Sequence, residues 1–112
     1  MVALSSNKFY PLSIPNIGPV ERDLVLRAID DGWISSVGPQ VREFEEEFAK
    51  YVGASFAVAC SSGTAALHVA LNVIGVGFGD EVLVPNMTFV ATANAVSYTG
   101  AKPVLVDIDK DT

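Results

Sequence analysis

The chain has 112 residues, half of them apolar, and seven Lys+Arg against thirteen Asp+Glu give a formal net charge of −6. A domain of that length buries roughly two-thirds of its unfolded surface without disulfide or metal support, and so apolar a chain is not disordered. The scattered cations Lys8, Arg22, Arg27, Arg42, Lys50, Lys102 and Lys110 exclude the clustered basic face of a nucleic-acid binder. Cys60 and His68, alone of their kinds, exclude an internal disulfide and disfavour a structural zinc site.

The opening MVALSSNKFYPLSIP has neither a basic n-region nor a long apolar run, so no secretory signal is expected and the cytoplasm is the expected location. From Pro19, the residues Val20, Leu24, Val25, Ala28 and Ile29 recur at helical spacing, with Gly32 suited to a left-handed cap. A second helix is predicted from Pro39, with Val41, Phe44, Phe48 and Tyr51 on one face and Gly53 at its close. Glu43, Glu45, Glu46 and Glu47 read as a solvated face, with Glu46 and Lys50 as an i,i+4 pair.

The stretch from Tyr51 to Gly79 contains no charged residue. Its Ser, Gly, Thr, His and Asn residues make it a poor membrane helix, which needs about 20 predominantly apolar residues. A buried strand, turn and buried helix account for it better. FAVAC (56–60) is predicted as a strand, SSGT as the turn, and AALHVALNVI as a helix ending at Gly75. A second strand, EVLV, is stopped by Pro85; a helix follows from about Thr88 to Tyr98, and PVLVD (103–107) is the third strand. The pattern predicts an α/β fold: a parallel βαβαβ core preceded by two helices. The expected division is 1–54, an N-terminal segment with two helices, and 55–112, the start of a larger domain. The break at DKDT after a strand suggests the front end of something longer.

Three segments hold the candidate chemistry. Ser61-Ser62-Gly63-Thr64 lies between a strand and a helix, where unpaired backbone N–H groups and a partial positive charge receive phosphate. Ordinary capping by Ser, Thr and Gly explains the same residues equally well. GVGFG (75–79) follows a helix and precedes a strand, the reverse of a dinucleotide loop, and reads as a helix stop. Asn86 to Thr92 follows the carboxyl end of the second strand, where α/β sheets bind ligands. Phe89 there is either a stacking platform or plain core. His68 reads as a packed histidine, Cys60 as a small buried apolar residue, and Asp107 with Asp109 as an acidic loop rather than a metal site.

GWISSVGPQVREFEEEFAKYVG, AVACSSGTAALHVAL and GDEVLVPNMTFVATANAVSYTGAKPVLVDID, in this order, resemble the start of the DegT/StrS-type sugar aminotransferases. These are pyridoxal-phosphate (PLP) enzymes of the aspartate aminotransferase fold, fold type I. The resemblance runs from about Pro15 to Thr112, and WISS and SYTGA look most like perosamine-synthase-type members. It implies the N-terminal part of a large domain that binds PLP and serves transfer of an amino group, from glutamate, to a 4-keto-6-deoxy nucleotide sugar.

By the same resemblance Ser62, Gly63 and Thr64 match the phosphate-binding turn, and Phe89 matches the aromatic that stacks on the pyridine ring. Trp33 and Ser35 match a stretch near the substrate side. The Schiff-base lysine, the acid paired with the pyridine nitrogen and the small C-terminal domain lie further along in the family. None of Lys8, Lys50, Lys102 or Lys110 stands in the matching context, so these residues by themselves are expected to be inactive. The resemblance also implies a homodimer, with no nucleic acid, membrane or metal partner. Two other readings remain: an inactive binding or regulatory module of the same fold, and a Rossmann-like dehydrogenase fragment, which NAD binding without PLP binding would favour.

Overall fold

The computed structural model describes residue 9 and residues 11–111. It divides into two compact units between Glu43 and Phe44, a point inside the second helix. In the first unit α1 (Pro19–Asp30) starts with Pro19 at its first turn, where a missing N–H costs nothing. Glu21 reaches back to accept the Gly18 N–H at 2.7 Å. Bonds from backbone N–H groups, its own and that of Gly18, hold the Glu21 carboxyl below its ordinary value. No residue of α1 is buried; Val20, Val25 and Ile29 are exposed among the described residues.

The second unit carries most of α2 (Pro39–Val52), then α3 (Gly63–Val73), β1 (Glu81–Pro85), α4 (Val90–Tyr98) and β2 (Lys102–Val106). Each helix stands where the apolar spacing predicts it. The end of α3 shows why GVGFG is a stop: Gly75 takes φ +85°, its N–H bonds Asn72 O at 3.0 Å, and Val76 N–H bonds Leu71 O at 3.0 Å. That pair of bonds satisfies two carbonyls the helix leaves open, and needs a residue that tolerates the left-handed region. At the end of α4 a hydroxyl stands in for one such bond: Thr99 Oγ1 donates to Val96 O at 2.8 Å and accepts from Ala101 N–H at 3.3 Å.

β1 and β2 pair in parallel, Glu81 with Lys102 through Pro85 with Val106, and α4 is the crossover that parallel pairing requires. The core is Val84, Val96 and Ala101, all buried, with Leu71, Val76, Val82 and Ala93 packed against them. α3, α4 and β1 place Leu71, Ala93, Val96, Val82 and Val84 in or against this cluster, and Ala101 joins it from the position just before β2. Ala95 is fully buried beside Val96 on α4.

Four expectations are corrected. FAVAC is no strand: residues 56–60 join no ladder, and Phe56 and Val58 stand 88% and 81% exposed. A strand exists only against a partner, and among the described residues β1 pairs with β2 while no strand lies alongside 56–60. Cys60 is exposed for the same reason. The acidic face of α2 is not wholly solvated, because Glu45 Oε1 accepts the Ala59 N–H at 2.7 Å in a half-buried contact. Lys50 lies nearest Glu47, at 3.7 Å, rather than Glu46, and that exposed pair adds little.

Candidate functional site

The turn before α3 is built by its own side chains. Ser62 is the N-cap, in extended backbone, and its Oγ accepts from Ala65 N–H at 3.2 Å. Its carbonyl accepts from Ala66 N–H at 3.0 Å. The Gly63 and Thr64 N–H groups then remain without an acceptor among the described residues. Neither the Ser62 nor the Thr64 hydroxyl donates a hydrogen bond among the described residues. The free backbone groups at this helix start are donors, and they sit at the positive end of the peptide dipoles. That donor set fits the phosphate of PLP. Gly63 adds a second sign. A Cβ built on it meets nothing within 4 Å, and its φ is not in the left-handed region. Neither crowding nor backbone strain within these residues calls for glycine, which leaves room for close approach from outside.

Ser62 and Gly63 open on a groove of about 400 Å³ lined also by Phe44 and Phe48 of α2, by Phe56 to Cys60 and by Ala66. Phe44 and Phe48 stack at 5.7 Å along one wall.

Phe89 stands at the start of α4, where it is the N-cap residue and 77% exposed. It is therefore not the core residue that composition alone allows. Its carbonyl accepts from Thr92 N–H at 3.0 Å, so the backbone is anchored while the ring is free. Among the described residues no hydrogen bond or ring contact joins Phe89 to the Ser62–Thr64 turn.

Trp33 and Ser35 belong to the other unit. Trp33 is half-exposed, with Gly38 so close that an added Cβ would lie 3.4 Å from its ring. Ser35 Oγ donates to Val37 O at 3.1 Å, which closes the loop locally. His68 packs edge-on against Tyr98, ring centroids 5.7 Å apart, as a packed histidine should. Asp107 does have work: its Oδ1 accepts from Asn86 Nδ2 at 3.1 Å and from Ile108 N–H at 3.0 Å. Laying EVLVP and KPVLV in parallel register puts these two residues on the next rung, a signal present in the sequence. Glu45 had no such signal, since nothing in the spacing separates it from Glu43, Glu46 and Glu47. No group of metal ligands occurs among the described residues, and no helix there is long and apolar enough to cross a membrane.

The fold and the donor set define a class: a parallel α/β layer whose helix starts present uncommitted donors and an exposed aromatic. The model of the DegT/DnrJ/EryC1/StrS aminotransferase family matches residues 15–112, and the chain belongs to that family. It is 52% identical over 101 residues to GDP-perosamine synthase of Caulobacter vibrioides, covering 90% of this chain and 27% of that protein. It is 50% identical over 106 residues to the spore coat polysaccharide biosynthesis protein SpsC of Bacillus subtilis, covering 95% and 27%. Among solved structures it is similar to the PLP form of Streptococcus pneumoniae Spr1654, described as a sugar aminotransferase, with a TM-score of 0.81 and 41% identity. That match covers 92% of this chain and 26% of the other. The chain thus spans about a quarter of the length of the relatives it matches.

Proposed function

We propose that residues 1–112 supply the phosphate turn and ring platform of a PLP-dependent aminotransferase that moves an amino group, from glutamate, to a keto nucleotide sugar of the 4-keto-6-deoxyhexose type. The product would serve a cell-surface polysaccharide or a related sugar pathway. The observation that carries this reading is the turn at Ser62–Thr64 with its uncommitted Gly63 and Thr64 N–H groups, in a chain that belongs to a family of aminotransferases.

When bound, PLP withdraws the electrons that make amino-group exchange feasible. The chain's own residues bind and orient. Gly63 and Thr64 donate backbone N–H groups to the phosphate, the Thr64 hydroxyl adds a donor, and Ser62 holds the turn by capping α3. Phe89 offers a ring face to the pyridine. Trp33 and Ser35 are substrate-side residues. The lysine that anchors the cofactor comes from outside these residues: Lys50 lies on an acidic helix face and Lys102 at the amino end of β2, away from the end where α/β sheets bind ligands. The division into 1–54 and 55–112 follows from the same reading, with the second part the start of the cofactor-binding domain. The assembly is a homodimer in the cytoplasm, a reading supported by the apolar side chains that α1 leaves exposed.

Two measurements test this. In the full-length enzyme Thr64→Val should weaken PLP affinity by about 1–2 kcal/mol, the scale of one hydrogen bond to a charged group, and Phe89→Ala should weaken it through lost stacking. Unchanged affinity in both would make turn and ring structural only. Residues 1–112 alone, treated with PLP and borohydride and mapped by mass spectrometry, should give scattered, substoichiometric labelling. One stoichiometric adduct with turnover would overturn the assignment of the lysine to another part of the enzyme.

A further inference from the structure

Two side-chain contacts bracket Phe89. Pro85 and Val106 form the last register pair of β1 and β2, and Asn86 and Asp107 stand on the rung beyond. Asn86 N–H donates to Val106 O at 2.9 Å, and its Nδ2 donates to Asp107 Oδ1 at 3.1 Å. The same carboxylate oxygen accepts Ile108 N–H at 3.0 Å, so one group gathers both strand ends. On the other side of Phe89, the Thr88 and Thr92 hydroxyls are 3.1 Å apart. Only Asn86, Met87 and Thr88 separate Pro85 from Phe89. A span of three residues covers at most about 11 Å, and here one end is tied to β2 and the other to the first turn of α4. The ring itself is 77% exposed, so it is not core packing that fixes its place.

We propose that the Asn86–Asp107 clasp is a positioning device that sets where the Phe89 ring stands at the carboxyl end of the sheet, and that Asn86 and Asp107 are positioning residues for the cofactor. This rests on the reading of Phe89 as the ring platform. The donor–acceptor identity matters. Two carboxylates on this rung repel, and two amides lose the charge that strengthens the bond. The clasp lies outside the buried cluster of Val84, Val96 and Ala101, so its loss moves the loop before it unfolds the layer.

The test uses the full-length enzyme, with three readouts: hydrogen exchange at the Asn86 and Ile108 amides without cofactor, the PLP dissociation constant, and the induced circular dichroism per bound PLP. Asn86→Asp keeps the shape but faces Asp107 with a like charge. It should speed exchange at both amides about tenfold and weaken PLP about three- to tenfold, with a smaller dichroic signal. The exchanged pair, Asn86→Asp with Asp107→Asn, restores a bond of reversed direction and should bring all three readouts back toward the parent. Asp107→Asn alone is the gentler variant, and should act in the same direction by about two- to threefold if Asn86→Asp does not fold. A lowered urea midpoint with unchanged affinity and dichroism, or no recovery in the exchanged pair, would reduce the clasp to a strand staple and overturn the proposal. Phe89→Leu separates the two ideas. If it changes affinity and dichroism while the clasp variants do not, the clasp alone fails. If it changes neither, the ring platform fails and the clasp's role with it.

Discussion

Residues 56–60 and 103–106, FAVAC and PVLV, read alike: short, apolar and rich in strand-forming residues. One became half of a parallel ladder, and the other lies unpaired along a groove wall. The difference is not in the segments. PVLV has β1 alongside and α4 over it, whereas FAVAC has a single carboxylate, Glu45, taking one of its N–H groups. A strand is a property of a pair, and the backbone groups of an unpaired segment must find side chains or water. The same contrast divides the side chains: Val84 on β1 is 1% exposed, while Val58 is 81% exposed.

Charge placed at the two positions gives the largest separation. Val84→Asp buries an unpaired carboxylate in the core and should cost more than about 4 kcal/mol, enough to abolish a cooperative urea transition. Val58→Asp in residues 1–112 should stay within about 0.5 kcal/mol. A large cost at Val58 as well would break the comparison, because it would mean that FAVAC has a covered face after all.

Removal of the one tether on FAVAC should act less strongly. Glu45→Ala deletes the acceptor of a charge-assisted bond to Ala59 N–H and should speed exchange of that amide about tenfold, at a stability cost of about 1–2 kcal/mol. Exchange at the β2 amides should not change. Equal acceleration in both regions would show that the two segments unfold as one unit.

The smallest effect belongs to the exposed first rung of the ladder. Lys102 Nζ donates to Glu81 Oε1 at 2.7 Å, and that bond and charge raise the lysine above its ordinary value. A raised lysine contributes its stabilisation in full below its unfolded value, and loses it as pH rises through the higher folded value. The urea midpoint of the parent should therefore fall slightly more than that of Glu81→Gln at alkaline pH beyond the ordinary lysine range, and the two should run parallel near neutrality. Parallel curves throughout would mean that solvent screens the pair completely.

Helices were the most legible feature, because their signals are local. Apolar spacing, Pro19 at one start and Gly32, Gly53 and Gly75 just beyond three ends mark α1, α2 and α3 within a few residues. The candidate turn was legible as residue types, since Ser, Gly and Thr before a helix suit both a cap and an anion. What the types could not say is which donors stay free; that required seeing Ser62 spend its oxygens on Ala65 and Ala66. Phe89 was equally open, and the structure adds that its ring is exposed among the described residues. Cys60 misled because its burial was inferred from a strand that has no neighbour here.

By itself, the sequence determined the order of helices and apolar segments, the exclusion of a basic or disulfide-bonded surface, and the family resemblance carried by its linked motifs. These depend on residues a few positions apart, or on composition, and need no knowledge of what packs on what. The tertiary structure alone decided which apolar segments pair and which of four neighbouring glutamates caps a stray amide. Those outcomes turn on contacts between distant parts of the chain, whose formation is governed by the partner available and not by the segment's own preference.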